Sequence, residues 1–230
     1  NGIQVETDVE IIEAFNEDSW VTGVGMKDGR ILRCQRVFQT VGVMPNVQWL
    51  EGSGILIKGG ILVNDHMETN VEGVYAAGDA VMTIDSVISE WVNNATWPAA
   101  TRQGIVAGTN MAEGDCTYVH NYALNALNLF GLKVITAGHS YYEEDSGAEI
   151  VWEEDHDRYR KIVIKEGRLI GFILVGDVTG AGLLLSLMKR KEEIPQALRH
   201  LLLSGSSLYR NLPVNLGFRH GFIFGKGVQA

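Results

Sequence analysis

A single carboxylate, Asp79, stands out in the stretch Thr69-Asn70-Val71-Glu72-Gly73-Val74-Tyr75-Ala76-Ala77-Gly78-Asp79-Ala80. It follows a short apolar run and a glycine. Residues 74–77 read as a tight apolar strand stopping at Gly78-Asp79, which puts the carboxylate at the C-terminal end of a buried strand. In open α/β sheets, ligands sit at that end. Ala76, Ala77 and Gly78 leave room for a bulky group against the backbone, and Asp79 can accept hydrogen bonds from a polyol. The amides after it would face a phosphate if a helix started there. Asp79 would serve equally well as a plain cap of that helix. No side chain is assigned as a catalytic acid, base or nucleophile. The six histidines show no ligand-like spacing, so no metal site is expected. The two cysteines, Cys34 and Cys116, lie far apart and form no CxxC, which fits a reducing, cytoplasmic setting without a structural disulfide.

Other elements must position that carboxylate. Trp97-Pro98-Ala99-Ala100 opens a helix running to about Met111, with Pro98 suited to its first turn. Ala100, Gly104, Ala107, Gly108 and Met111 share one stripe, expected to pack closely on a sheet or a flat ligand. Upstream, residues 3–6, 9–15, 20–26, 31–34 and 37–41 read as short strands of a β-meander with one apolar face. Lys27-Asp28-Gly29 supplies a hairpin turn. Pro45 breaks the pattern and forces Met44 out of helical geometry. Gly59-Gly60 is a turn before a strand at 61–63. Residues 114–117 read as a linker. Beyond it, 133–137, 148–152, 159–165 and 169–175 read as strands, the last two joined by a hairpin at Glu166-Gly167. Residues 179–191 and 195–203 read as helices. This last part is an α+β module. Residues 204–230 are rich in glycine and carry aromatics, and receive no assignment.

Composition narrows the class. Hydrophobic residues make up 46% and charged residues 20% of 230, a globular balance. Nineteen basic against 28 acidic residues give a net charge of −9, which argues against nucleic acid as a partner. The one basic cluster, Lys189-Arg190-Lys191, runs straight into Glu192-Glu193 and reads as a solvated helix end. No apolar run is long enough to span a bilayer, so no membrane association is expected. The N-terminus shows no signal-peptide pattern. It also lacks a methionine, so a fragment or processed product is expected.

Thr-x5-Tyr-Ala-Ala-Gly-Asp-Ala resembles the second flavin-binding signature of the pyridine nucleotide-disulfide oxidoreductase superfamily. Thr40-Val41-Gly42-Val43-Met44-Pro45-Asn46 resembles the segment where such chains return from the NAD domain to the FAD domain. Trp97-x-x-Ala100-x-x-Gln103-Gly104 is similar to the flavin-abutting helix of ferredoxin and rubredoxin reductases. Tyr159-Arg160-Lys161, Gly167-Arg168-Leu169-Ile170-Gly171 and Val175-Gly176-Asp177 are similar to the C-terminal domain of NADH–rubredoxin reductases, a pattern shared by nitrite reductase flavoprotein parts. The matches cover most of residues 1–203.

The resemblance implies an α/β and α+β fold: the C-terminal part of a flavoprotein with two dinucleotide-binding domains. Residues 1–45 would end the NAD(P)-binding domain as a β-meander. Residues 46–113 would form the C-terminal half of the FAD-binding domain, and 114–230 an α+β interface domain. Gly78, Asp79 and Ala80 would hold the ribityl or pyrophosphate part of FAD. Trp97, Pro98 and Ala99 would lie near the isoalloxazine, although Trp97 also reads as plain interface packing. The parent protein would carry electrons from NAD(P)H through FAD to an acceptor protein or small molecule, and would form a homodimer through the C-terminal module. The sequence contains no GxGxxG fingerprint, so the chain is expected to begin inside the NAD domain and to be inactive alone. The competing reading is a non-catalytic flavin half-site or dimerisation module.

Overall fold

A computed structural model describes residues 2–119, 122–141 and 147–203. The expectations for 204–230 lie outside the described residues. The chain divides into two compact units, Asn1–Val43 and Met44–Ala230.

The first unit is an antiparallel meander of β1 (Ile11–Glu17), β2 (Trp20–Met26) and β3 (Ile31–Arg33) in the order β1-β2-β3. Asp18 and Ser19 turn the first hairpin with φ of 47° and 68°. Gly29, at φ 88°, turns the second and returns its amide to Met26 O at 2.9 Å. The expected one-sided patterning is absent. Gly23, Val24, Gly25 and Met26 are buried in succession, because β2 is the central strand and its two glycines are covered by Ile31 and Leu32 of β3 and by Glu13 of β1. Two expected strands do not form. Residues 3–6 stay irregular, with Glu6 paired to Arg30 instead of a backbone ladder. Residues 37–41 find no ladder partner among the described residues, and Phe38 and Val41 are exposed.

The second unit begins with a loop-rich half built on three short strands: β4 (Ile61–Leu62), β5 (Val81–Ile84) and β6 (Trp91–Val92), ordered β4-β5-β6. The expected strand at 74–77 is replaced by a bridge. Gly73, at φ 74°, turns the chain so that Thr69 N–H donates to Val74 O and Ala76 N–H to Met67 O. The strand comes after Asp79, as β5, and no helix starts there. Helix α1 (Trp97–Met111) forms over the expected residues. Its buried face is Ala99, Gln103, Val106, Ala107 and Asn110, packed on a core containing Val47, Leu50, Ile61, Val63, Met67, Val81 and Tyr118. The expected small-residue stripe is therefore rotated. Of its members only Ala107 is buried, and a Cβ added at Gly104 or Gly108 would meet nothing within 4 Å. Polar Gln103 and Asn110 take the inward places because each satisfies backbone groups of neighbouring segments. Asn110 Nδ2 donates to His66 O and Cys116 O, and its Oδ1 accepts Cys116 N–H, all at 2.8 Å. The supposed linker at 114–117 is thus tied down.

The remaining half is an antiparallel sheet, order β7-β8-β11-β10-β9: β7 (Leu124–Leu129), β8 (Leu132–Gly138), β9 (Glu149–Asp155), β10 (Arg158–Lys165) and β11 (Arg168–Val175). β7, unexpected from its uneven apolar spacing, is exposed along its length. It is held by a hairpin at Phe130-Gly131, both at positive φ. Helix α2 (Ala181–Arg190) lays Leu184 and Met188 on Ile162, Phe172 and Leu174. Helix α3 (Gln196–Arg199) continues as a 3-10 turn whose Leu202 and Leu203 close the core. Completely buried Arg160 donates to Asp177 O at 2.8 Å and Thr179 O at 2.9 Å, fixing the loop that feeds α2. Burial pulls its guanidinium below the usual value, and the nearby Asp177 charge opposes this.

Candidate functional site

The turn at Gly78-Asp79-Ala80 meets the first turns of α1. Gly78 adopts φ 90°, a conformation that favours glycine, and Val81 N–H closes the turn onto Gly78 O at 3.2 Å. A Cβ on Gly78 would stand 3.9 Å from Ala100 Cβ, so the turn lies against the helix with little between them. Three further contacts fix the turn. Gly78 N–H donates to Gln103 Oε1 at 2.8 Å. Asn93 Nδ2 donates to both Asp79 O and Val81 O, each at 2.8 Å. Ile61 N–H donates to Ala80 O at 2.9 Å. Against this bound backbone the Asp79 side chain is exposed, and Ala80 is half-buried. Asp79 therefore presents its carboxylate from the loop that enters β5, not from the end of a preceding strand as the sequence suggested.

The first turn of α1 carries the remaining expected residues. Thr96, at φ −131° and ψ 146°, precedes the helix without a side-chain cap, and no acidic residue stands in the first turn. The positive end of the helix dipole is left uncompensated, a setting that favours an anionic group. Trp97 is 86% exposed and Pro98 is also exposed, whereas Ala99 is 1% exposed and packs inward. The structure thus gathers Gly78, Asp79 and Ala80 against the helix that begins at Trp97, Pro98 and Ala99.

Around the site, Glu68 is well satisfied, whereas the buried Tyr118 hydroxyl has no hydrogen-bond partner among the described residues. Asn64 and Tyr75 donate hydrogen bonds to Glu68, at 3.1 and 2.9 Å, and hold its carboxyl below the ordinary value; the same contact raises the Tyr75 phenol. Burial raises the Tyr118 phenol, opposed by Arg102 and Gln103. Sequence reasoning missed Gln103 as a contact of the turn, and missed Asn93 and Asn110 altogether. The available signal was a polar amide at each of positions 103 and 110, on the spacing of the buried residues 99, 106 and 107.

Two hollows lie elsewhere: one of about 430 Å³ lined by Val63, Asp65, Met67, Thr83 and Tyr118, and an open cleft of about 740 Å³ lined by Asp155, His156, Asp157, Arg158 and Asp177. Neither is lined by the expected site residues. Cys34 and Cys116 are free thiols. Among the described residues no group of three or more His, Cys, Asp or Glu could hold a metal ion, and no helix is long and apolar enough to cross a membrane.

An extended anionic cofactor bearing a polyol fits these features. The carboxylate is exposed and the adjacent helix end is bare.

Comparison with known proteins gives the same direction. Residues 1–104 match the pyridine nucleotide-disulphide oxidoreductase family model, and 124–192 match that of the rubredoxin NAD+ reductase C-terminal domain. NADH-rubredoxin oxidoreductase of Clostridium acetobutylicum is 30% identical over 151 residues, covering 66% of this chain and 38% of that protein. The epsilon subunit of NADH-dependent phenylglyoxylate dehydrogenase of Aromatoleum evansii is 33% identical over 174 residues, covering 74% and 41%. A FAD-dependent pyridine nucleotide-disulphide oxidoreductase from Desulfovibrio vulgaris shares the fold, with a TM-score of 0.71, 24% identity, and coverage of 80% of this chain and 49% of that one. The crystal structure of the Clostridium acetobutylicum enzyme gives a TM-score of 0.55 at 28% identity, covering 67% and 39%. The chain spans about two fifths of the length of these two curated relatives. Its two matched regions, in that order, are a domain of the pyridine nucleotide-disulphide oxidoreductase family over residues 1–104 and a C-terminal domain of the rubredoxin reductase type over residues 124–192.

Proposed function

We propose that this chain contributes part of the FAD site of an oxidoreductase that passes electrons from NAD(P)H to an acceptor protein or small molecule. FAD and NAD(P)H are the cofactors of this family. The observation that carries the reading is the exposed Asp79 carboxylate on a backbone turn bound by Gln103 and Asn93, set against the bare start of α1.

Asp79 accepts hydrogen bonds from the ribityl hydroxyls or lies beside the pyrophosphate, and Gly78 and Ala80 admit the cofactor to the backbone. Trp97 and Pro98 cover the isoalloxazine edge, and buried Ala99 lies next to them in the helix start. The positive end of α1 offsets the negative charge of a reduced ring. The flavin, when bound, supplies hydride acceptance and onward electron transfer. The chain's own residues orient it and supply the local field, and no side chain is assigned as a catalytic acid or base. A protein acceptor is supported by the name of the Clostridium acetobutylicum relative and by the fold shared with a putidaredoxin reductase caught in a covalent complex with putidaredoxin (TM-score 0.73, 17% identity, covering 86% of this chain and 47% of that one).

We read residues 1–45, 46–113 and 114–230 as the end of the NAD(P) domain, the second half of the FAD domain and the interface domain. A homodimer through that last domain is supported by the exposed apolar side chains of Leu127, Leu129, Phe130 and Trp152. A cytoplasmic location is supported by the two free thiols.

The test is flavin content and NADH-dependent dye reduction of the full gene product that carries this sequence. A yellow protein with turnover is expected, and Asp79→Asn should weaken FAD binding about tenfold. A colourless, inactive product overturns the reading and favours the non-catalytic dimerisation module.

A further inference from the structure

Two amide side chains hold the turn that carries Asp79, one at the Gly78 N–H and one at the Asp79 and Val81 carbonyls. Gln103 is 1% exposed, on the inward face of α1 between Ala99 and Val106. A buried amide is costly unless it is hydrogen-bonded, and an apolar residue would fill that place at least as well for packing alone. Its polar identity is accounted for by Gly78, whose N–H it accepts at 2.8 Å across 25 positions of sequence. Asn93, just past β6, uses one nitrogen to bridge Asp79 O and Val81 O. That bridge requires the two carbonyls to converge, which only one geometry of the turn allows. Gly78 is the residue least able to hold its own conformation. Without the Gln103 oxygen, the Ala77–Gly78 peptide loses its side-chain anchor, and the following peptide keeps only the bond from Val81 N–H to Gly78 O.

We infer that Gln103 and Asn93 are positioning residues, which lock the Ala77–Gly78 and Asp79–Ala80 peptides of the turn so that the Asp79 carboxylate meets the ribityl–pyrophosphate part of FAD in one preset orientation. The inference rests on the reading of Asp79 as a FAD ligand. Neither side chain touches the cofactor; both act through Asp79.

The experiment measures FAD affinity and the visible circular dichroism of bound flavin in the full gene product, for Gln103→Met, Asn93→Ala, Asp79→Asn and the pairwise combinations. Gln103→Met and Asn93→Ala should each weaken FAD about tenfold and alter the flavin dichroism. In the Asp79→Asn background, Gln103→Met should add less than a twofold loss, because the group it positions is gone. Full additivity, or unchanged affinity and dichroism in the single variants while Asp79→Asn remains impaired, overturns the inference and leaves the FAD reading standing. Absence of FAD from the wild-type protein overturns both. Asn93 is only half-buried, so Asn93→Ala decides the matter if Gln103→Met fails to fold.

Discussion

His139 Nε2 lies 3.2 Å from Oδ2 of Asp85, a carboxylate that is 1% exposed. The contact spans 54 positions and joins the loop between β5 and β6 to the end of β8. The other oxygen, Oδ1, accepts the amides of Val87 and Ile88, and Val87 packs on the core under the five-stranded sheet. One side chain therefore shapes a loop and docks it to the neighbouring sheet.

Replacing Asp85 with Ala removes acceptors from two amides and one imidazole. The expected loss is about 2 kcal/mol in urea unfolding, with a smaller loss for His139→Ala. A double-mutant cycle should return a coupling of about 1 kcal/mol, and additivity would show the pair to be idle.

Arg160 is the strongest candidate for a large effect. Arg160→Met leaves the carbonyls of Asp177 and Thr179 without their donors and removes the partner of the Asp177 carboxylate, 3.8 Å away. A loss of about 3 kcal/mol is expected, read as a lower urea midpoint at constant slope. Far-ultraviolet dichroism should report weakened helix signal if α2 loosens first.

Asp177 gives the stability a definite pH dependence. Partial burial pushes its carboxyl up, but hydrogen bonds from the Thr179 side chain and amide, with the charges of Arg160 and Arg158, outweigh this and lower it from 3.8. A lowered folded-state value means that stabilisation is complete above the unfolded value and fades as pH falls through and below it. Unfolding free energy should therefore drop between pH 5 and pH 2, and Asp177→Asn should flatten that drop. An unchanged acid limb in the variant would refute the assignment.

Gly78→Ala tests the backbone alone. The added methyl meets only Ala100 at ordinary contact distance, so crowding is slight, whereas φ 90° disfavours any side chain. About 1–2 kcal/mol of destabilisation is expected from thermal unfolding.

Much of the architecture could be read from residue patterns. β2 and α1 start and end where apolar alternation and the Trp97-Pro98 start placed them, and Glu166-Gly167 turns the expected hairpin. The failures share a cause: pattern reading assigns a strand without knowing its neighbour. Residues 37–41 and 74–77 have strand-like composition, but the first finds no ladder among the described residues and the second only a bridge. β7 was invisible for the converse reason, since a partner strand holds residues of uneven spacing. At the site, Gly78, Asp79 and Ala80 could be singled out because glycine next to a carboxylate after an apolar run is unusual. Gln103 left a trace only in its place on the buried spacing of α1, and Asn93 left none, because an amide that binds a distant peptide looks like any surface amide until the chain is folded.

The outward turn of Gly104 and Gly108 has a mechanical consequence. A fifteen-residue helix with two glycines mid-length is a poor helix by its own propensity, and each costs about 1 kcal/mol relative to alanine. Since nothing crowds these positions, the order of α1 is imposed from its other side, by Val106 and Ala107 in the core and by the grip of Asn110 on Cys116. The segment is held like a splinted limb: release the splint at either end and the spiral unwinds, taking with it the platform on which Trp97 stands.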